Sequence, residues 1–184
     1  GTGIGCGVYV DGHVLMGEDG KAAEVGHFVI NPAGGLRCGC GKTGHWESYC
    51  SGGNIPNFVR AKLEGIDGRK VRKSLLFELA GGDLSNLSAE TLFKAARDKD
   101  ELSLEIVEEM GKLNAAGFAN VIEAYDPSLI TVGGSVALKG EELVMDPIRR
   151  YLKRYVARRL PKVMITPLGE DVGLYGAVVT IFNR

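Results

Sequence analysis

Two cysteines and two histidines fall within nineteen residues of a glycine-rich stretch, at His27, Cys38, Cys40 and His45. Thiolate and imidazole are preferred zinc ligands, and four protein donors close a tetrahedral structural site with no position left for water. Glycines at 39, 41 and 44 allow the positive φ angles that a short loop wrapped around an ion demands. The spacing therefore points to a structural zinc held by these four residues. A plainer reading of the C-x-C pair, two buried or oxidisable thiols in a loop, leaves the flanking histidines without a use. Glu24 stands three residues before one presumed ligand and Glu47 two residues after another. One carboxylate accepts hydrogen bonds from two neighbouring hydroxyls, and such charge-assisted bonds are stronger than neutral ones. A metal that pins both loops would aim both side chains into one cleft.

A second chemistry is suggested by glycine turns. Holding phosphate requires backbone amides that approach closely and a cation to offset charge. Gly1, Thr2, Gly3 and Gly5 meet the first requirement, and the Thr2 hydroxyl adds a donor. A further turn, Gly133-Gly134, follows the apolar run Leu129 to Val132. Each turn by itself is equally compatible with an ordinary hairpin.

Taken in order, these segments resemble the ROK family of sugar kinases and sugar-responsive transcriptional repressors. Glu24-Val25-Gly26-His27 is similar to the family's E-x-G-H motif, and Cys38-Gly39-Cys40-Gly41-Lys42-Thr43-Gly44-His45-Trp46-Glu47 to its C-x-C-G-x-x-G-C-x-E motif. His45 stands where the family has a third cysteine, so the resemblance implies a Cys2His2 set, with Cys50 in reserve should His45 point away. Gly1 to Gly7 resembles the family's phosphate-facing turn, Ile130-Thr131-Val132-Gly133-Gly134-Ser135-Val136 its adenosine-binding turn, and Leu168 to Ala177 the start of its C-terminal helix. Cys6 occupies a position that is glycine in many members.

The resemblance carries specific expectations. The fold would be an α/β, ribonuclease-H-like (actin-like ATPase) lobe with a zinc-binding loop and helical insertions, residues 1–184 forming the C-terminal lobe of a ROK-type sugar kinase. Glu24, His27 and Glu47 would bind the sugar, His27 doubling as a zinc ligand. Gly1, Thr2, Gly3, Gly133 and Gly134 would meet ATP, accompanied by Mg²⁺. The activity implied is glucokinase-like transfer of the γ-phosphate to the primary hydroxyl of glucose or a close relative. Its catalytic aspartate would lie in a preceding lobe, outside this chain, leaving the chain by itself without turnover. A sugar-sensing repressor and an N-acetylmannosamine or N-acetylglucosamine kinase share the same motifs and are the alternative readings.

Composition agrees with these expectations. A chain of 184 residues can bury one sizeable core. The formal charge of −1 offers no general attraction to nucleic acid or anionic membranes. An apolar run of membrane-spanning length and a signal-peptide pattern are both missing from the sequence. Four cysteines, two of them needed as thiolates, suit a reducing cytoplasm better than a disulfide framework.

The positioning elements follow from periodicity. Ile4 to Val10, the turn Asp11-Gly12 and His13 to Met16 predict an antiparallel pair, and Phe28 to Ile30 a third short strand. Gly52 to Leu63 and Lys70 to Leu79 read as helices, exposed enough to pair subunits in a homo-oligomer. Ser88, with Thr91, caps the next helix. Leu102, Ile106, Met110, Leu113, Gly117 and Val121 recur at helical spacing, so 101–124 should be one long packed helix. Leu129 to Val132 predicts a buried strand, Leu143 to Arg158 a helix, Val163 to Ile165 a strand and Val172 to Phe182 a closing helix. Arg149, Arg150, Lys153, Arg154, Arg158 and Arg159 form a basic face that reads as solvated surface rather than a nucleic-acid contact.

Overall fold

The computed structural model describes residues 2–182. It is an α/β arrangement in which helices dominate and the strands form two small sheets. β1 (Tyr9–Val10) and β2 (His13–Val14) pair antiparallel, Tyr9 opposite Val14 and Val10 opposite His13. The turn between them has φ of 49° at Asp11 and 82° at Gly12, the left-handed pair that matches strand twist in a two-residue hairpin. These strands are shorter than the apolar runs predicted.

The expected strand at Phe28 to Ile30 is replaced by a single bridge between Val29 and His45. The reason is local: the backbone amides of Ile30 and Asn31 both turn onto the Gly44 carbonyl, at 3.0 and 3.2 Å, so the chain curls around the metal loop instead of extending a ladder. Before it, Val25–His27 forms a 3₁₀ turn.

Helices α1 (Glu47–Cys50) and α2 (Ile55–Leu63) follow, the second starting later than predicted, with Pro56 in its first turn where a missing N–H costs nothing. The single helix expected over 70–79 is two, α3 (Gly68–Lys73) and α4 (Leu75–Leu79). They part at Ser74, whose extended backbone (ψ 140°) ends one while its hydroxyl accepts the Leu76 N–H of the next. In α5 (Ala89–Arg97) the capping box of Ser88 and Thr91 forms as the sequence indicates.

The long helix α6 (Glu101–Tyr125) is the central element. Leu102, Ile106, Met110, Gly117 and Val121 are buried along it and Leu113 is half-buried, so the apolar stripe faces the core as read. Helix α5 packs on one side, and α8 (Glu141–Tyr155) on another after the short α7 (Ser135–Lys139), Pro147 of α8 lying against Gly111. Ile122, Met145 and Ile148 are essentially inaccessible, each worth roughly 1.5–3 kcal/mol in apolar burial.

β3 (Leu129–Val132) and β4 (Lys162–Ile165) pair in parallel, joined by the α7–α8 crossover. β3 is not buried as predicted: its residues alternate between exposed and half-buried, Leu129 being 48% accessible, because β4 covers one edge and the other borders a cavity. Helix α9 (Val172–Phe182) closes the described chain. Among the described residues, no helix is long and apolar enough to cross a membrane. The basic face of α8 is partly neutralised: Arg149 pairs with Asp146, Arg150 with Glu108, and Arg158, just beyond the helix, with Glu123.

Asp100 joins two helices. Its carboxylate accepts from the Ser103 amide and hydroxyl at the start of α6, and from the Ser74 hydroxyl and Leu75 amide at the start of α4, all within 3.0 Å. Burial opposes ionisation, but the bonds from Ser103, Ser74 and Leu75 outweigh it and hold the carboxyl below its ordinary value. A carboxyl lowered on folding adds stability above its unfolded pKa, and that stability is lost as pH falls through the folded value. Asp100→Ala should therefore cost about 2 kcal/mol at neutral pH, the scale of a strong helix cap, in urea denaturation. The difference from the parent chain should shrink on acidification below about pH 4, near the unfolded carboxyl value; a difference that grows on acidification would contradict this role.

Candidate metal centre

The loop from 27 to 45 folds back on itself through local hydrogen bonds. Cys38 N–H donates to the Lys42 carbonyl and Gly41 N–H to that of Cys38, while Arg37 bridges Thr43. This brings Cys38, Cys40 and His45 together, and the Val29–His45 bridge adds the end of the 3₁₀ turn carrying His27. One ligand-type atom from each of His27, Cys38, Cys40 and His45 lies within 4.8 Å of all the others. A zinc tetrahedron with bonds of about 2.0–2.3 Å has edges of about 3.3–3.8 Å, so only small side-chain movements separate this cluster from a ligand sphere. One edge already has that length, 3.4 Å between Cys40 Sγ and His45 Nδ1. The imidazoles of His27 and His45 are stacked 4.9 Å apart. Donor chemistry and spacing both fit zinc.

Cys50 lies elsewhere. It is buried in the core and its thiol donates to the Met110 carbonyl at 3.8 Å, with burial pushing its pKa far up. The alternative of Cys50 in place of His45 therefore finds no geometric support.

Glu47 is the hinge of the site. Its Oε1 accepts from the Cys38 thiol at 3.0 Å and lies 3.6 Å from His27 Nε2; its Oε2 accepts from the Ile4 amide at 3.3 Å. Burial disfavours the carboxylate, but the bonds from Cys38 and Ile4 and the nearby imidazole prevail, leaving its carboxyl below the ordinary value. Burial pushes the Cys38 thiol up to about 11, a backbone bond at Cys40 opposes that, and Glu47 adds to the rise. The N-terminal stretch is thus seated against the metal loop. A side chain at Gly26 would collide with the Ile4 carbonyl, which accounts for glycine there.

Trp46 lies between His45 of this cluster and Glu47. Its amide donates to the Phe28 carbonyl at 2.9 Å, and its indole N–H donates to Asn114 Oδ1 of α6 at 2.9 Å. The ring lies so close on Gly117 that any Cβ there would strike it, and Phe118 meets it edge-on at 5.5 Å.

A cavity of about 880 Å³ opens beside this assembly. Gly3, Ile4, Gly5 and Cys6 line one side, Gly133 and Gly134 another, and Trp46 and Asn114 contribute to its wall. The two glycine turns picked out in the sequence therefore border one space. Thr2 is exposed, outside that lining, its carbonyl close to Gly53. Gly1 lies outside the described residues. Glu24 immediately precedes the 3₁₀ turn; its side chain is exposed and makes no hydrogen bond or ion pair among the described residues. Asn114 was not singled out in the sequence, although a polar residue one turn from Met110 and Gly117 on an otherwise apolar stripe was a usable signal.

The family model of the ROK family matches residues 1–183. A glucokinase of Pyrobaculum calidifontis is 34% identical over 182 residues, which are 99% of this chain and 55% of the relative. A glucokinase of Aeropyrum pernix is 36% identical over 186 residues, covering 100% of this chain and 57% of the relative. The crystal structure of a ROK family glucokinase from Streptomyces griseus, in complex with glucose and AMPPNP, superposes with a TM-score of 0.83 at 33% identity over 98% of this chain and 57% of that one. This chain thus spans little more than half the length of the curated relatives it matches. The α/β fold around the metal loop is that of the ROK sugar kinases, an actin-like ATPase fold, and the chain belongs to the ROK family.

Proposed function

We propose that residues 1–184 form the C-terminal lobe of an ATP-dependent, glucokinase-like hexose kinase of the reducing cytoplasm, with a zinc-organised sugar site. The observation that carries this reading is Glu47, whose one carboxylate touches the metal loop at Cys38 and the glycine turn at Ile4 beside the cavity. The glucokinase relatives support a kinase over a sugar-sensing repressor or an aminosugar kinase.

In this reading His27, Cys38, Cys40 and His45 hold zinc, which when bound supplies a tetrahedral cross-link between the 3₁₀ turn and the loop. A ligating Cys38 is a thiolate with no proton to donate, so Glu47 Oε1 becomes free for a sugar hydroxyl. Glu24 and His27 complete the recognition of neighbouring hydroxyls. Gly3 faces the terminal phosphates of Mg²⁺-ATP, and Gly133 and Gly134 the adenosine, all three bordering the one cavity. Seated this way, the primary hydroxyl and the γ-phosphate are brought into line, and positioning and electrostatics provide most of the acceleration.

Elemental analysis of freshly purified, reduced chain should find about one zinc per molecule, as a closed four-donor site requires. Cys38→Ala and His45→Ala should release most of it and Cys50→Ala none; metal-free parent chain, or loss in Cys50→Ala alone, would overturn the ligand assignment. Glucose titrated calorimetrically into the zinc-loaded chain should bind, and Glu47→Gln should weaken that binding by about tenfold, because a neutral amide replaces the charge-assisted acceptor. Unchanged glucose affinity in Glu47→Gln would remove Glu47 from the sugar site.

A further inference from the structure

We infer that Asn114 is the residue that aims Glu47, acting through the Trp46 indole. This rests on the sugar-kinase reading only for its effect on ligand; the positioning itself is independent of that reading. All four metal donors lie between residues 27 and 45, so the metal sphere closes within the loop. Cys38 and His27 of that cluster touch Oε1 of Glu47, but neither fixes the backbone that carries the side chain or the placement of Oε2 on the Ile4 amide. That placement depends on where the start of α1 is held, and Trp46 is the residue immediately before it.

Trp46 is fixed at both ends. Its backbone is tied to the turn bearing His27 through the Phe28 carbonyl, and its ring is seated on α6 by Gly117, Phe118 and Asn114. Stacking on Gly117 and the edge contact with Phe118 set the plane and depth of the ring. The hydrogen bond to Asn114, at 2.9 Å, sets its rotation within that plane, because the N–H is the indole's single directional group, and the buried Cys50 thiol is its other polar neighbour. Asn114 is 6% exposed and stands in the wall of the cavity beside Trp46. An indole nitrogen is solely a donor, which fixes the amide with Oδ1 toward Trp46. The other end, Nδ2, has no hydrogen-bond partner among the described residues, so a substitution that changes only that end disturbs no other bond.

That asymmetry supplies the test. Asn114→Asp keeps an oxygen for the indole in either protonation state, whereas Asn114→Leu has nearly the same shape and no acceptor. In the zinc-loaded chain, both variants should retain the parent's zinc content. The amide of Ile4, bonded to Glu47, should exchange with deuterium about tenfold faster in Asn114→Leu and at the parental rate in Asn114→Asp, as expected for loss of a bond worth about 1.4 kcal/mol. Glucose affinity should fall about tenfold in Asn114→Leu and stay within twofold of the parent in Asn114→Asp. A residue that merely fills the core would lower thermal stability in Asn114→Leu while leaving both readouts unchanged well below the unfolding temperature, and that result overturns the inference. Equal loss in the Leu and Asp variants overturns it too, as does zinc loss in Asn114→Leu, because the effect would then run through the metal. Failure of the parent chain to bind glucose would remove the sugar reading alone, with the Ile4 exchange rates still deciding the role of Asn114.

Discussion

A carboxylate shared between a thiol, an imidazole and a backbone amide is an unusual burden for one glutamate, and the organisation of this chain around its metal loop depends on it. Glu47 meets Cys38 and His27 with one oxygen and Ile4 with the other. Residues 4, 27, 38 and 47 are thereby drawn to one point although they come from a glycine turn, a 3₁₀ turn, a loop and a short helix. Partly buried carboxylates are costly to ionise unless compensated, and here three neighbours provide the compensation. Removing any one partner leaves the others to carry a charge they only jointly stabilise.

The rigid reference for this constellation is α6. Met110, Asn114, Gly117 and Phe118, within little more than two turns, accept the Cys50 thiol, accept the Trp46 indole, admit its ring and meet its edge. A helix is well suited to that task because its intrahelical bonds keep side chains one and two turns apart at constant spacing. The opposite end of the same helix is anchored by Asp100, which also starts α4, so the helical layer and the metal loop share one frame. Charges on the outer surface take little part in this. The arginines of α8 meet nearby acids at exposed positions, where water screens the attraction and ion pairs contribute little.

Much of this was legible in the amino-acid order. The N-cap at Ser88, the stripe along residues 101–124, the Asp11-Gly12 turn and the strand, helix, strand order from 129 to 165 are consequences of local chemistry and period, and each appears in the structure; the parallel pairing of those strands is a tertiary outcome. The clustering of His27, Cys38, Cys40 and His45 was readable for the same reason: they are close in sequence, and glycines between them leave few ways to fold but inward. Local signals also misled where competing partners were remote. Phe28 to Ile30 has strand composition, yet Gly44 captures its amides; residues 70 to 79 have helical composition, yet Ser74 is claimed by Asp100 twenty-six positions away.

What the sequence alone determined, then, is the set of short-range features: donor spacing, caps, turns and the buried face of the long helix, all of which depend on residues a few positions apart. The tertiary structure decided which of the candidate groups meet. It set Cys50 into the core and away from the His27, Cys38, Cys40 and His45 cluster, brought the two glycine turns to one cavity, left Glu24 exposed, and turned Glu47 toward Ile4 forty-three residues upstream. It also recruited Asn114, sixty-eight residues from Trp46. Contacts of that separation depend on how helices and loops pack as solid bodies, and close packing has no short period by which a sequence would announce it.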